Sequence, residues 1–153
     1  MSYKANFYKR NTNPIGEKKA YDYYKNRNIF ITRYGVDLLD SGIGVERFCK
    51  IPKIVRSTPD FIAINQGFAF IEVKAFKGAY LRLKIEDLEA YNFWAGVGGF
   101  VFFIWSTTND VGTQVRYENM VKLINKNKYK IDRFPDNNKK YYLIPWEDLK
   151  PRS

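Results

Sequence analysis

Three charged side chains, Asp60, Glu72 and Lys74, interrupt an otherwise apolar stretch that runs from Thr58 to Lys74. The stretch reads as two extended segments broken at Asn65-Gln66-Gly67, which predicts a β-hairpin. Side chains alternate along a strand, so Glu72 and Lys74 share one face while Ile71 and Val73 share the other. If the strands pair around that turn, Asp60 comes to lie beside Glu72. Two carboxylates and an ammonium on one patch of an apolar sheet carry a heavy desolvation cost unless a cation sits between the acids. A hydrated divalent ion would fill that place.

Composition limits what else could act there. The 153 residues include no histidine and one cysteine, Cys49. This excludes Ser-His-Asp and Cys-His catalysis, histidine acid/base work and ordinary zinc sites. Any metal must be held by oxygen, which suits Mg²⁺ or Mn²⁺. A lone cysteine also rules out an intrachain disulfide framework and fits a reducing compartment. Against 16 Asp+Glu stand 26 Lys+Arg, a formal charge of +10. Such an excess favours a polyanionic partner, nucleic acid first, with general surface basicity as the plainer alternative. Hydrophobic residues make up 45% and aromatics 18%, enough for one domain with a real core. No secretory signal is visible, and the longest apolar run, Val97 to Trp105, is too short to span a bilayer. A soluble, intracellular protein with no membrane association is expected.

The elements that must position the charged trio follow from pattern. Residues 1–12 mix Lys4, Lys9 and Arg10 with aromatics and read either as an arm or as a frayed terminus. Asn13-Pro14 is a helix start, and the helix is expected to run to about Asn28 with Glu17, Tyr21 and Tyr24 on an inward stripe. Glu17 then has two readings, a functional acid or a first-turn acid favoured by the helix dipole. Lys18, Lys19 and Lys25 fall on the outer side. Ile29 to Tyr34 predicts a strand ended by Gly35, followed by a loop to Gly44 in which Asp37 and Asp40 are spare acids. Val45 to Arg56 reads as irregular strand broken at Pro52. After the hairpin, Leu81 to Lys84 is extended. Lys77, Arg82 and Lys84 either bring positive charge beside the acids or snorkel across the sheet edge. Ile85 to Ala95 predicts a helix stopped at Gly96. Phe100 to Trp105 predicts a strand buried on both faces, with Trp94 and Trp105 as core residues. Helical spacing covers Val115 to Asn127, a basic segment runs from Lys126 to Lys140, Tyr141 to Ile144 is a last strand, and Pro145-Trp146 turns the chain out.

A helix with an inward Glu17, a strand, Pro59-Asp60, a strand with Glu72-Val73-Lys74, a helix and a buried strand together resemble the PD-(D/E)XK nuclease superfamily. Within it the pattern is most similar to Holliday junction resolvases of bacterial, archaeal and phage type, over roughly residues 13–106. The resemblance implies an α/β fold with a restriction-endonuclease-like core, a central mixed β-sheet flanked by helices, as a single nuclease domain over residues 1–153. It implies a Mg²⁺-dependent (or Mn²⁺-dependent) endonuclease that hydrolyses phosphodiester bonds in branched DNA, acting in the cytoplasm as a homodimer. Phage members leave a viral source open. The alternatives are a restriction-like or repair nuclease on linear or flap DNA, and a non-catalytic DNA-binding protein of the same fold. Carried onto this chain, Asp60 and Glu72 would ligate one ion with the Val73 carbonyl, and Glu17 would serve a second. Lys74 would hold the attacking water, as positioner before base. DNA contacts would come from Lys77, Arg82, Lys84, Lys18, Lys19 and Arg56. On the helix after the Lys74 strand, where some members carry glutamine, this chain offers Glu86, Asp87, Glu89 and Asn92.

Overall fold

The Asn65-Gln66-Gly67 turn reverses the chain as its composition predicts. Gln66 takes a positive φ of 60°, and the Asn65 N–H donates to the Gly67 carbonyl at 2.9 Å. The flanking strands, β2 (Phe61–Ile64) and β3 (Phe68–Phe76), pair antiparallel from Ile64↔Phe68 to Phe61↔Ile71. These positions come from a computed structural model that describes residues 15–35, 47 and 50–151.

Around the hairpin lies a five-stranded sheet of order β1-β2-β3-β5-β6. It adds β1 (Phe30–Arg33), β5 (Gly99–Ser106) and β6 (Val111–Arg116). The β3–β5 pair is parallel and the other pairs are antiparallel, so the sheet is mixed. Strand β5 carries Phe102, Phe103 and Ile104 at 0% exposure, as a strand buried on both faces must. Alternation then divides the core. Ile71 and Phe103 pack with Ala20, Tyr24, Ile31, Phe61 and Ala63 under helix α1 (Ile15–Lys25). Phe70, Phe100, Phe102 and Ile104 pack on the opposite face with residues of α3 (Ile85–Val97) and α4 (Tyr117–Asn127), including Tyr91, Met120 and Ile124. The result is the α/β architecture expected, a central mixed sheet flanked by helices.

Several boundaries differ from the sequence reading. α1 ends at Lys25, because Asn28 adopts a left-handed φ of 57° that breaks the helical ladder. Its inward stripe is Gly16, Ala20 and Tyr24, while Tyr21 is exposed and Glu17 sits on the shoulder between core and solvent. Lys53–Arg56 forms a short helix, α2, in place of irregular strand. Pro52 is compatible with a helix start, and its carbonyl accepts N–H bonds from Val55 and Arg56. α3 runs through Gly96 to Val97, since one glycine costs a helix only about 1 kcal/mol. Val111–Arg116 is strand, with Thr113 and Val115 buried and Gln114 and Arg116 exposed, so α4 starts at Tyr117. A second sheet of order β4-β8-β7 joins Tyr80–Lys84, Lys140–Pro145 and Ile131–Arg133. Beyond it, α5 (Trp146–Leu149) folds back and buries Trp146 and Leu149 in the core. Trp94 and Trp105 are half-buried on the two cores. The N-terminal arm, the Asn13-Pro14 cap, Asp37, Asp40 and Cys49 lie outside the described residues. Among the described residues no helix is long and apolar enough to cross a membrane.

One contact ties α1 to the hairpin. A Cβ added at Gly16 would stand 2.9 Å from the Ala75 Cβ and 3.2 Å from a Val73 methyl. The first turn of α1, which carries Glu17, therefore rests directly on the β3 backbone beside Lys74. Gly16→Val should cost about 2 kcal/mol by overpacking, a fall of about 4–8 °C in melting temperature for a domain this size. A thermal melt equal to wild type would show that this contact does not hold α1.

Candidate active site

The β2–β3 register ends at Phe61↔Ile71, so the next pair outward is Asp60 beside Glu72. Asp60 is fixed from two sides. Its carbonyl accepts the N–H groups of Tyr34 at 3.0 Å and Gly35 at 3.3 Å, which carries the β1–β2 pairing past its last ladder residue. Its side chain accepts the Val73 N–H at 2.8 Å. Gly35 is needed here, since a Cβ would lie 3.0 Å from the Pro59 carbonyl and 3.3 Å from the Asp60 Cα. Pro59 itself is fully buried.

Glu72 is buried at 8% exposure. Its Oε1 accepts the Tyr91 hydroxyl at 2.9 Å and lies 3.2 Å from Lys74 Nζ. Lys74 in turn stands 4.0 Å from Asp87 Oδ2 and 5.3 Å from the Tyr91 ring centre. Sequence reasoning did not single out Tyr91 and named Asp87 only among the polar residues of the helix after the Lys74 strand, without a role. Their spacing of i, i+4 on the helix after the Lys74 strand placed them on one face, but nothing local named the strand they would meet.

Electrostatics of this cluster are set by burial and like charge. Burial pushes the Asp60 carboxyl well above the usual carboxylate range, the facing Glu72 charge pushes it further, and Glu17 adds to the same direction against the Val73 N–H and Lys74. Glu72 is also raised by burial, with Lys74 and the Tyr91 hydroxyl working against the rise. Burial alone would lower Lys74, but the carboxylates of Glu72, Asp87 and Asp60 outweigh it and raise the pKa, so Lys74 is a fixed ammonium. Burial and the same acids raise Tyr91 well above its usual value, which keeps it a hydrogen-bond donor.

The raised carboxyls predict a pH dependence. A folded-state pKa above the unfolded one means that the folded chain holds the proton longer. The pair therefore costs nothing below about pH 4, destabilises the fold increasingly as pH rises from there to the raised values, and adds no further cost above them. Asp60→Asn removes the charge and keeps an acceptor for Val73. Its melting temperature in EDTA should match wild type near pH 4 and exceed it toward neutrality by about 2–4 °C, the shift that ~1 kcal/mol gives at this size. An advantage that shrinks as pH rises would contradict the assignment.

The remaining expected residues are distributed as follows. Glu17 Oε2 pairs with Arg33 Nη1 at 2.8 Å. Among the described residues no three acids stand together as a ready metal cage. Lys77 is exposed just past β3. Arg82 and Lys84 lie on β4 in the second sheet, 5.4 Å from the Tyr141 ring centre and 5.5 Å from that of Phe134. Lys18 pairs with Asp22 at 2.8 Å, and Lys19 lies 3.8 Å from Asp110 and 4.8 Å from the Trp105 ring centre. Arg56 Nε donates to the Ile51 carbonyl at 2.9 Å. Of the residues expected at the site, Asp60, Glu72 and Lys74 form a contiguous polar cluster, which Tyr91 and Asp87 complete.

The donor chemistry at the pair fits a hard divalent cation. Every donor is an oxygen, the chain has no histidine, and two facing carboxylates raise each other's affinity for positive charge.

No family model and no curated protein matches the sequence. The three-dimensional form does have counterparts. A 1.6 Å structure of Archaeoglobus fulgidus Hjc, a Holliday junction resolvase from an archaeal hyperthermophile, superposes with a TM-score of 0.53 at 17% identity, covering 88% of each chain. The structure of D212, a nuclease from a fusselovirus, superposes with a TM-score of 0.51 at 13% identity, covering 88% of this chain and 80% of that one. The fold is therefore that of Holliday junction resolvase-like nucleases, a restriction-endonuclease-like α/β core.

Proposed function

We propose that this protein is a divalent-metal-dependent, structure-selective DNA endonuclease that hydrolyses phosphodiester bonds in branched DNA, four-way junctions in particular. The observation that carries the reading is the Asp60–Glu72 pair beside the ammonium of Lys74, on a fold shared with a resolvase. Asp60 and Glu72, with the Val73 carbonyl, would hold Mg²⁺ or Mn²⁺, and Glu17 would serve a second ion. When bound, such an ion supplies a water of lowered pKa and neutralises charge at the phosphorus.

The chain's own residues do the rest. Tyr91 donates to Glu72 and keeps that carboxylate aimed along the sheet face. Asp87 and Glu72 hold Lys74 from two directions. Held as a cation, Lys74 orients the attacking water and stabilises the charge that grows on the phosphoryl oxygens. It is a positioner and stabiliser before a base, because its surroundings favour the protonated form. Lys77, Arg82, Lys84, Lys18, Lys19 and Arg56 would contact the DNA backbone, in keeping with the net charge of +10. A single nuclease domain would work as a homodimer, since a two-fold pair presents one site to each of two strands, in the DNA recombination and repair chemistry that branched substrates imply.

The test is cleavage of matched linear, flap and four-way DNA in Mg²⁺ and in EDTA. The reading expects metal-dependent nicking with the four-way substrate preferred. Equal cutting of all three would favour a restriction-like or repair nuclease. Tight binding with no nicking in Mg²⁺ or Mn²⁺ would leave a DNA-binding protein on a nuclease fold.

A further inference from the structure

The chemistry above gives Glu17 a role but none to Arg33, the residue it pairs with. Glu17 stands in the first turn of α1 and Arg33 ends β1. Their side chains, 33% and 36% exposed, meet at 2.8 Å. The sheet holds Arg33 one register step from Asp60, on the face that α1 covers. It lies opposite Phe61, the residue after Asp60, with its guanidinium 5.3 Å from the Phe61 ring centre. The next residue, Tyr34, donates its N–H to the Asp60 carbonyl at 3.0 Å. A guanidinium at this rim gives Glu17 the positive neighbour that a metal ion would otherwise supply. An ion pair this open to water is weak and exchanges readily.

We propose that Arg33 is an exchangeable counter-ion of Glu17. It holds the first-helix carboxylate while no divalent cation is bound, yields it when one binds, and turns its guanidinium to a substrate phosphate. The inference rests on the nuclease reading of the same site. Guanidinium recognises carboxylate and phosphate with the same forked geometry, so the exchange swaps one oxyanion for another without moving the strand.

The exchange predicts opposite signs in two measurements, which a structural role does not. Calorimetric titration of the full chain with Mn²⁺, without DNA, should show Arg33→Met binding about 2–5-fold more tightly than wild type, the worth of an exposed ion pair. In a Glu17→Gln background the same substitution should change nothing. On branched DNA, Arg33→Met should lower kcat/KM about 10–100-fold, the loss of one charged hydrogen-bond donor, through KM. Arg33→Lys, which keeps the charge on a compact head, should keep near-wild-type Mn²⁺ affinity and still raise KM.

Unchanged or weaker Mn²⁺ binding by an Arg33→Met chain that melts like wild type would overturn the proposal. So would an equal gain in the Glu17→Gln background, which would reflect bulk charge only. So would an Arg33→Lys chain with wild-type KM. A wild-type chain that binds no Mn²⁺ overturns instead the nuclease reading beneath it, and that is known before any variant is compared.

Discussion

Asp60→Asn is expected to slow Mg²⁺-dependent cleavage of branched DNA by at least ~10³-fold, about 4 kcal/mol in activation free energy, while binding DNA as tightly as wild type or more tightly. The asparagine keeps an acceptor for the Val73 N–H, so the backbone that carries Glu72 and Lys74 need not move. What disappears is half of the carboxylate pair that would hold the cation. Removing a negative charge from a site that faces phosphate also removes repulsion, which is why affinity should not fall. Single-turnover rates with binding measured in parallel check this. An equal loss of binding and cleavage would show that Asp60 supports the fold and not the chemistry.

Lys74→Met is expected to cost ~10²–10³-fold in cleavage, the usual loss when one preorganised charge aimed at a transition state is removed. Its effect on stability should have the opposite sign to that of Asp60→Asn. Lys74 balances Glu72 and Asp87, so its loss leaves buried acids without their ammonium. Breaking a fully buried pair from one side costs about 3–5 kcal/mol. Here the side chain is 22% exposed, and a smaller loss is expected. Thermal melts in EDTA at neutral pH should therefore rank Asp60→Asn above wild type and Lys74→Met below it, although both cleave slowly. A Lys74→Met chain that melts at or above wild type would contradict the charge balance drawn here.

The hairpin, the buried strand β5 and the meeting of Asp60 with Glu72 were all legible in the sequence, each through a local signal. A turn tripeptide fixes the reversal, strand alternation fixes the faces, and pairing outward from the turn brings the two acids together. Other features were hidden because their signal is not local. On the inward stripe of α1 Tyr24 was read correctly, but Glu17 was put in the place of Gly16 and Tyr21 in that of Ala20, since Gly16 shows no hydrophobic signal and its close approach to Ala75 exists only in the folded chain. Strand β7, exposed along its length, has no apolar alternation to reveal it. β6 carries too few apolar residues to compete with the helical spacing that follows it. Tyr91, Asp87 and Arg33 are ordinary residues in the sequence and gain meaning only from the neighbours that tertiary packing supplies.

The reading depends on Asp60 and Glu72 holding a divalent cation where a phosphodiester can reach it. Anomalous diffraction from crystals grown with Mn²⁺ measures that directly. A peak bonded to carboxylate oxygens of both Asp60 and Glu72 is expected, at the about 2.0–2.2 Å that small hard cations require, and that peak should be lost in Asp60→Asn. A Mn²⁺-saturated structure with the two carboxylates unligated would contradict it.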